Sequence, residues 1–195
     1  MNAPYSRPSR PRRYDLQPAA DVTNPFAAYA VAALDELSAR LFDLIADMPQ
    51  EGMDFCPDGA TNTMAMLTIH MAWAEAFWVS RITGYPIPPD LRSRILPGRQ
   101  GPSGDLPSFS APADQLIELC QRVRRELTRP ALATLHEVDA EIPDEQRPMT
   151  ARGVLMHVIW HWTYHSGQVG LLRRLWGSRY KRTFDRRDGA PAADR

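Results

Sequence analysis

The 195-residue chain is poor in the features that announce an exported, membrane-bound or nucleic-acid-binding protein. It has two cysteines, Cys56 and Cys120, too few for a disulfide framework and without the spacing of a thiolate metal pair. Both are expected to be free thiols in a reducing cytoplasm. Lys181 is the only lysine, and the formal net charge of the chain is zero, which argues against a nucleic-acid partner. No uninterrupted apolar run has the length to cross a bilayer, since His70, Glu75 and Arg81 break the longest apolar stretch, 64–82. The amino terminus is basic without an apolar segment behind it, so no signal peptide is expected.

What charge there is sits unevenly. Arg7, Arg10, Arg12 and Arg13 crowd the beginning, and Lys181, Arg182, Arg186 and Arg187 the end, among prolines and a glycine. The expectation is a disordered basic tail at 1–22, one domain at 23–178 and a second disordered tail at 179–195.

Four segments carry helical periodicity. The first, 24–48, starts on a capping Asn24 with Pro25 behind it and has an apolar stripe of Tyr29, Leu34, Leu37, Leu41, Leu44 and Ile45. The second, 61–82, stops near Gly84. The third, 112–128, has Ser110 as its expected cap, and Cys120 sits on its apolar stripe. The fourth, 150–176, has Thr150 as cap and Gly177 as stop. Between the second and third lies 85–109, with six prolines and three glycines, expected to be a long loop. Residues 134–142 alternate weakly and suit a short strand or an extended crossing. The expected fold is all-α, a four-helix bundle with a long proline-rich loop between helices two and three. Such bundles build metal sites from inward-facing side chains.

Three of the five histidines, His157, His161 and His165, recur every fourth residue in the fourth helix. Neighbours in such a stack lie about 40° apart and one turn along, so two can reach one ion, while all three span about 12 Å. Either His157 with His161 or His161 with His165 could therefore form a ligand pair. His70, alone among apolar neighbours in the second helix, is the natural third ligand. Neutral imidazole is the commonest transition-metal ligand, and three unshared buried imidazoles would be costly without one. A zinc-protease reading lacks its glutamate: Val158 follows His157, and Trp162 follows His161. His136, between Leu135 and Glu137 in a surface connection, is given no role. Met66, Ala74 and Phe77 share the His70 face within about 40° and would form an apolar pocket wall; Gln168 lies about 20° from His161, near enough to orient a ligand. Glu75, about 140° from His70, suits an inter-helix partner better than a general base.

The run His157-Val-Ile-Trp-His161-Trp-Thr-Tyr-His165-Ser166-Gly167-Gln168, together with His70 followed by Glu75 and Trp78, resembles the DinB-like family of bacterial four-helix-bundle proteins. The resemblance implies an up-down-down-up bundle and a metal site of His70, His161 and His165, with His157 in the second shell or core. Ser166 stands where the family usually has arginine. The resemblance further implies a divalent ion, nickel or zinc, and in some members a low-molecular-weight thiol transferred to a small electrophile. Trp73, Phe77 and Trp78 point in widely separated directions on the second helix, so the first and second helices carry more apolar surface than one stripe needs; a homodimer built through helix faces is expected, and the resemblance also favours one. Metal-dependent hydrolysis and a non-enzymatic, stress-associated metal-binding bundle are the other readings; no catalytic or thiol-binding residue is assigned.

Overall fold

A computed structural model describes residues 15–143 and 148–177. Of the two expected tails, 1–14 and 179–195 lie outside these residues. In the remainder of the first, Val22 is buried and Asp21 pairs with Arg129.

The described residues are all-α apart from one pair of two-residue strands, β1 (Glu141–Ile142) with β2 (Met149–Thr150), which lies partly within the stretch expected to be extended. Its long helices are α1 (Pro25–Ile45), α3 (Met64–Thr83) and α7 (Ala151–Leu175). A composite fourth stretch runs through α5 (Ala113–Arg122), a π-helical segment (Val123–Thr128) and α6 (Arg129–Ala133). A single turn, α2 (Gln50–Met53), links α1 towards α3.

The caps sit where local chemistry demands them. Asn24 Oδ1 accepts from the amides of Phe26 and Ala27, Thr63 Oγ1 from Met66, and Thr150 Oγ1 from Gly153. Gly84 closes α3 in the left-handed region at φ 70°, a conformation that needs no β-carbon.

α3 is the central element. Fourteen of its twenty residues are buried, and over 64–72 burial covers every face. A helix apolar all round must be enclosed, and α3 is: α7, the composite stretch and the 85–109 region all pack on it. α1 packs on α7 and the composite stretch. One apolar cluster gathers Leu34, Leu41, Leu67, Met71, Leu116 and Trp162; a second gathers Val31, Val79, Ile82, Leu132 and Leu155.

Four local expectations are corrected. The third helix does not stop at Thr128 but continues through Pro130; a π-widened turn immediately precedes this proline, whose missing N–H would interrupt a regular ladder. Ser110 does not cap it. Its hydroxyl donates to Asp54 (2.8 Å) and accepts from Gln50 (3.0 Å), fastening the chain to α2. Tyr29 is not part of the buried stripe and is 51% exposed. The proline-rich region is not merely a loop: it contains α4 (Pro89–Ile95) and a 3-10 turn (Leu96–Gly98), anchored by fully buried Leu91 and Ile95.

The π segment aims Arg124 into the core. Its guanidinium forms a two-point bond to Glu75 of α3 (2.8 Å each), reaches Asp35 of α1 (2.7 Å), and shares Glu75 with the Thr128 hydroxyl (2.5 Å). Glu75 is thus an inter-helix partner. It is 1% exposed, so removing the cation would strand a buried carboxylate. Arg124→Met should destabilise the protein by about 3–5 kcal/mol. Adding Glu75→Met should recover much of that loss. Urea unfolding of the single and double variants checks both; a single variant no less stable than the double one would refute this role.

Candidate metal centre

The site is built where α3 meets α7. His70 lies mid-way along α3, buried among the residues that enclose that helix. His161 and His165 are one turn apart on α7 and half-buried. The three imidazoles come together: one nitrogen from each lies within 4.8 Å of the others, and His70 Nε2 is 3.1 Å from His161 Nε2. Ring centroids are 4.8 Å apart for His70 and His161, 5.1 Å for His70 and His165, and 4.4 Å for His161 and His165.

Two of the rings are oriented by their outer nitrogens. His70 Nδ1 donates to the Gly98 carbonyl at 2.8 Å. That bond places the proton on Nδ1 and leaves Nε2 a bare lone pair facing α7. His165 Nδ1 donates to Gln168 Oε1 at 2.6 Å, with the same consequence for its Nε2. Gln168 therefore touches His165 rather than His161, one turn back along the same helix. His161 Nδ1 is buried without a hydrogen-bond partner among the described residues.

Gly98 had no signal in the sequence beyond a Pro-Gly pair in a proline-rich region. Its position is set by close approach: a β-carbon there would collide with the Ile69 carbonyl on α3. Only glycine lets the 3-10 turn lie against the helix backbone and deliver its carbonyl to His70.

The electrostatics favour neutral imidazole throughout. Burial, and then the neighbouring imidazoles of His165, His70 and His157, push His161 down to about 3. Burial also lowers His70 against the opposing bond to Gly98, and lowers His165 against the bond to Gln168. The donor set suits a divalent transition ion. Two nitrogens bonded at about 2.0–2.1 Å in a tetrahedral array lie about 3.3 Å apart, close to the His70–His161 separation.

His157 stands apart from the three. It is exposed, and its ring packs edge-on to Trp78 at 5.7 Å and lies 5.8 Å from His161. His136 is in the connection after α6, where its carbonyl accepts from Asn24. The Ser166 hydroxyl faces Met71 Sδ at 4.0 Å. Neither cysteine lines the cleft: exposed Cys56 bonds to the Ala60 carbonyl, and Cys120 is buried, its thiol pushed up to about 12 by burial and then by Glu75.

A cleft of ≈ 830 Å³ opens onto His70 and His161. The α3 wall has Trp73, Ala74, Phe77, Trp78, Ser80 and Arg81, a second wall has Pro86, Ile87, Arg92, Arg99 and Gln100, and His157 of α7 also lines the cleft. Ala74 and Phe77 thus face the cleft as expected from the wheel. Met66 does not line it; it is buried near the start of α3, one turn below His70. The second wall comes from the proline-rich region, whose fold the sequence did not disclose.

An all-α protein with three imidazoles converging from two helices, beside a ligand-sized cleft, is the class defined by fold and site. A family model for the DinB superfamily matches residues 33–169, and the chain belongs to that superfamily. The match includes all three histidines. No curated protein matches the chain.

The depressed His161 titration has a consequence for stability. The unfolded chain binds the His161 proton near pH 6.5, the folded one only at about 3. Between these limits the unfolded state holds more protons, so stability falls as pH drops from 6.5 towards 3 and is unaffected by this group above 6.5. Metal-free protein should lose thermal stability between pH 6.5 and 5 relative to its own value at pH 7.5, and His161→Gln should lose less. Parallel melting curves with equal pH dependence would contradict the assignment.

Proposed function

We propose that the protein binds one divalent transition metal, nickel or zinc, through His70, His161 and His165, and uses it in a thiol-dependent transfer or isomerisation of a small electrophile. The observation that carries the metal reading is the direction of the lone pairs: Gly98 and Gln168 hold the outer nitrogens of two rings, so their Nε2 atoms are free to bind one ion. A bound divalent ion would hold a thiol that reaches it as the thiolate. His70 and His161 face the cleft, which gives a small molecule a route to them. The aromatic wall of Trp73 and Phe77 excludes water from one side of that route. No carboxylate lines the cleft among the described residues, so hydrolysis would lack a carboxylate base there; this favours thiol transfer over the hydrolase reading. The likeness of the histidine pattern to the DinB-like family, some of whose members use a thiol, points the same way.

The fold that supports this is the up-down-down-up four-helix bundle, with α1, α3, the composite stretch and α7 as its helices. Each touches two others, as such a bundle requires. Among the described residues no helix is long and apolar enough to cross a membrane, and a reducing cytoplasm suits both free thiols.

Purified protein loaded with nickel or zinc should retain close to one ion per chain by elemental analysis, and His161→Ala close to none. His157→Ala should retain the wild-type amount. Equal metal in wild type and His161→Ala would refute the site. Titrating the loaded protein with low-molecular-weight thiols should produce saturable binding that His161→Ala lacks. Full metal loading with no thiol binding would leave the non-enzymatic metal-binding reading in its place.

We also propose a homodimer. The apolar excess was expected on the first and second helices; the large exposed side chains instead include a stripe along α7, with Met156, Trp160, Tyr164, Leu171 and Leu175 each at least half exposed. Patches of this kind mark interaction surfaces. Light scattering should give twice the 22.0 kDa chain mass at micromolar concentration. Trp160→Glu should give the chain mass; a monomeric wild type would refute the dimer.

A further inference from the structure

We infer that the cleft beside His70 and His161 is a binding site for a small carboxylate with a flat unsaturated or aromatic body, its carboxylate held by Arg92 and Arg99. The inference deepens the proposed function by naming the class of substrate, and it rests on that reading only for what lies at the cleft's inner end.

Two independent features converge. The first is charge. Several guanidiniums elsewhere are matched: Arg122 pairs with Asp90 and Glu126, Arg129 with Asp21 and Asp35, Arg152 with Asp139, and Arg173 with Asp47. Arg92 and Arg99 have no carboxylate partner among the described residues, yet both line this cleft. They reach it from separate places, Arg92 from α4 and Arg99 from the residue after the 3-10 turn. That turn is itself held against α3 by the close approach at Gly98. Arg81, which donates to the Pro143 carbonyl, lines the same cleft, so three arginines meet there with no acidic residue in the lining. Guanidinium presents a planar fork to carboxylate, so the cleft is suited to that group.

The second feature is shape. Trp73 and Phe77 lie one turn apart on α3 with rings stacked at 6.1 Å and 23°, and Trp78 meets Phe77 edge-on at 5.1 Å. Phe77 is 42% exposed although it belongs to the most enclosed helix, so part of its ring is open to solvent. Pro86 and Ile87 add apolar surface to the same lining. A flat body slides between such surfaces more readily than a sugar, which would desolvate its hydroxyls against them without partners. The volume is that of a small-molecule site.

The test uses the full chain, both metal-free and zinc-loaded, with benzoate and its uncharged isostere benzamide as probes, read by calorimetry and by quenching of tryptophan fluorescence. Metal-free protein should bind benzoate about tenfold or more tighter than benzamide. The Arg92→Gln/Arg99→Gln double variant should lose that preference while still binding benzamide and melting at the wild-type temperature. Arg94→Gln, an exposed arginine of α4 outside the lining, should keep it. Equal binding of the two probes to metal-free protein overturns the inference, as does a preference that survives in the double variant. A preference seen only after zinc loading also overturns it, because the ion and not the arginines would then hold the carboxylate. Failure of the metal reading would appear separately, as protein that retains no zinc after loading while its preference for benzoate is intact.

Discussion

Enclosure of α3 is the constraint on which the other parts of this protein depend. α3 is buried round its whole circumference over 64–72, so each polar side chain it buries must find a partner, in a neighbouring element or on its own backbone. Glu75 finds Arg124 and Thr128 in the composite stretch. His70 finds Gly98 on one side and His161 on the other. Thr68 returns its hydroxyl to the Met64 carbonyl within the helix. These partners in turn settle where the neighbours can sit. The π segment brings Arg124 to its carboxylate, and glycine at position 98 allows the 3-10 turn to reach the histidine.

The two buried polar clusters of α3 solve the same problem differently. Around Glu75 the charge is retained and neutralised by a second charge, with each carboxylate oxygen bonded. Around His70 the charge is avoided: burial keeps the imidazoles unprotonated, and the outer nitrogens of His70 and His165 are tied. The first arrangement is complete within the protein. The second leaves inward lone pairs and one unpartnered nitrogen at His161, which is the chemical character of a ligand set rather than of a structural polar network. The functional consequence is a site whose donors are ready at neutral pH, beside a cleft with aromatic and cationic walls.

Much of this was legible in the sequence where the determining interactions are local. Asn24 and Thr150 bond to amides two or three residues away, and Gly84 and Gly177 need only their own backbone angles; periodicity and cap chemistry therefore place these helix ends closely. Helical spacing also shows that His161 can share an ion with a neighbour, but not which one. His157 and His165 are equivalent on a wheel, and the choice depends on where α3 crosses α7. The family resemblance points to His165, and in the structure His165 lies with His70 and His161. What could not be read depends on contacts distant in sequence. Ser110 is taken by α2, Pro130 is absorbed by a widened turn, and Tyr29 faces outward because α1 packs on α7 and the composite stretch. Met66 shares a face with His70 on an ideal wheel but lies a turn away from the cleft. Gly98, Arg92 and Arg99 belong to a region whose composition resembles a loop, and only its packing on α3 gives them a place in the site.

The central claim is that three imidazole nitrogens, and no thiolate, hold one ion between α3 and α7. X-ray absorption of the zinc-loaded protein at the metal edge tests it most directly. The account predicts imidazole nitrogens at about 2.0–2.1 Å, with the multiple scattering of three rings, falling to two rings in His165→Ala. A sulfur shell at about 2.3 Å, or a spectrum unchanged in His165→Ala, would contradict it.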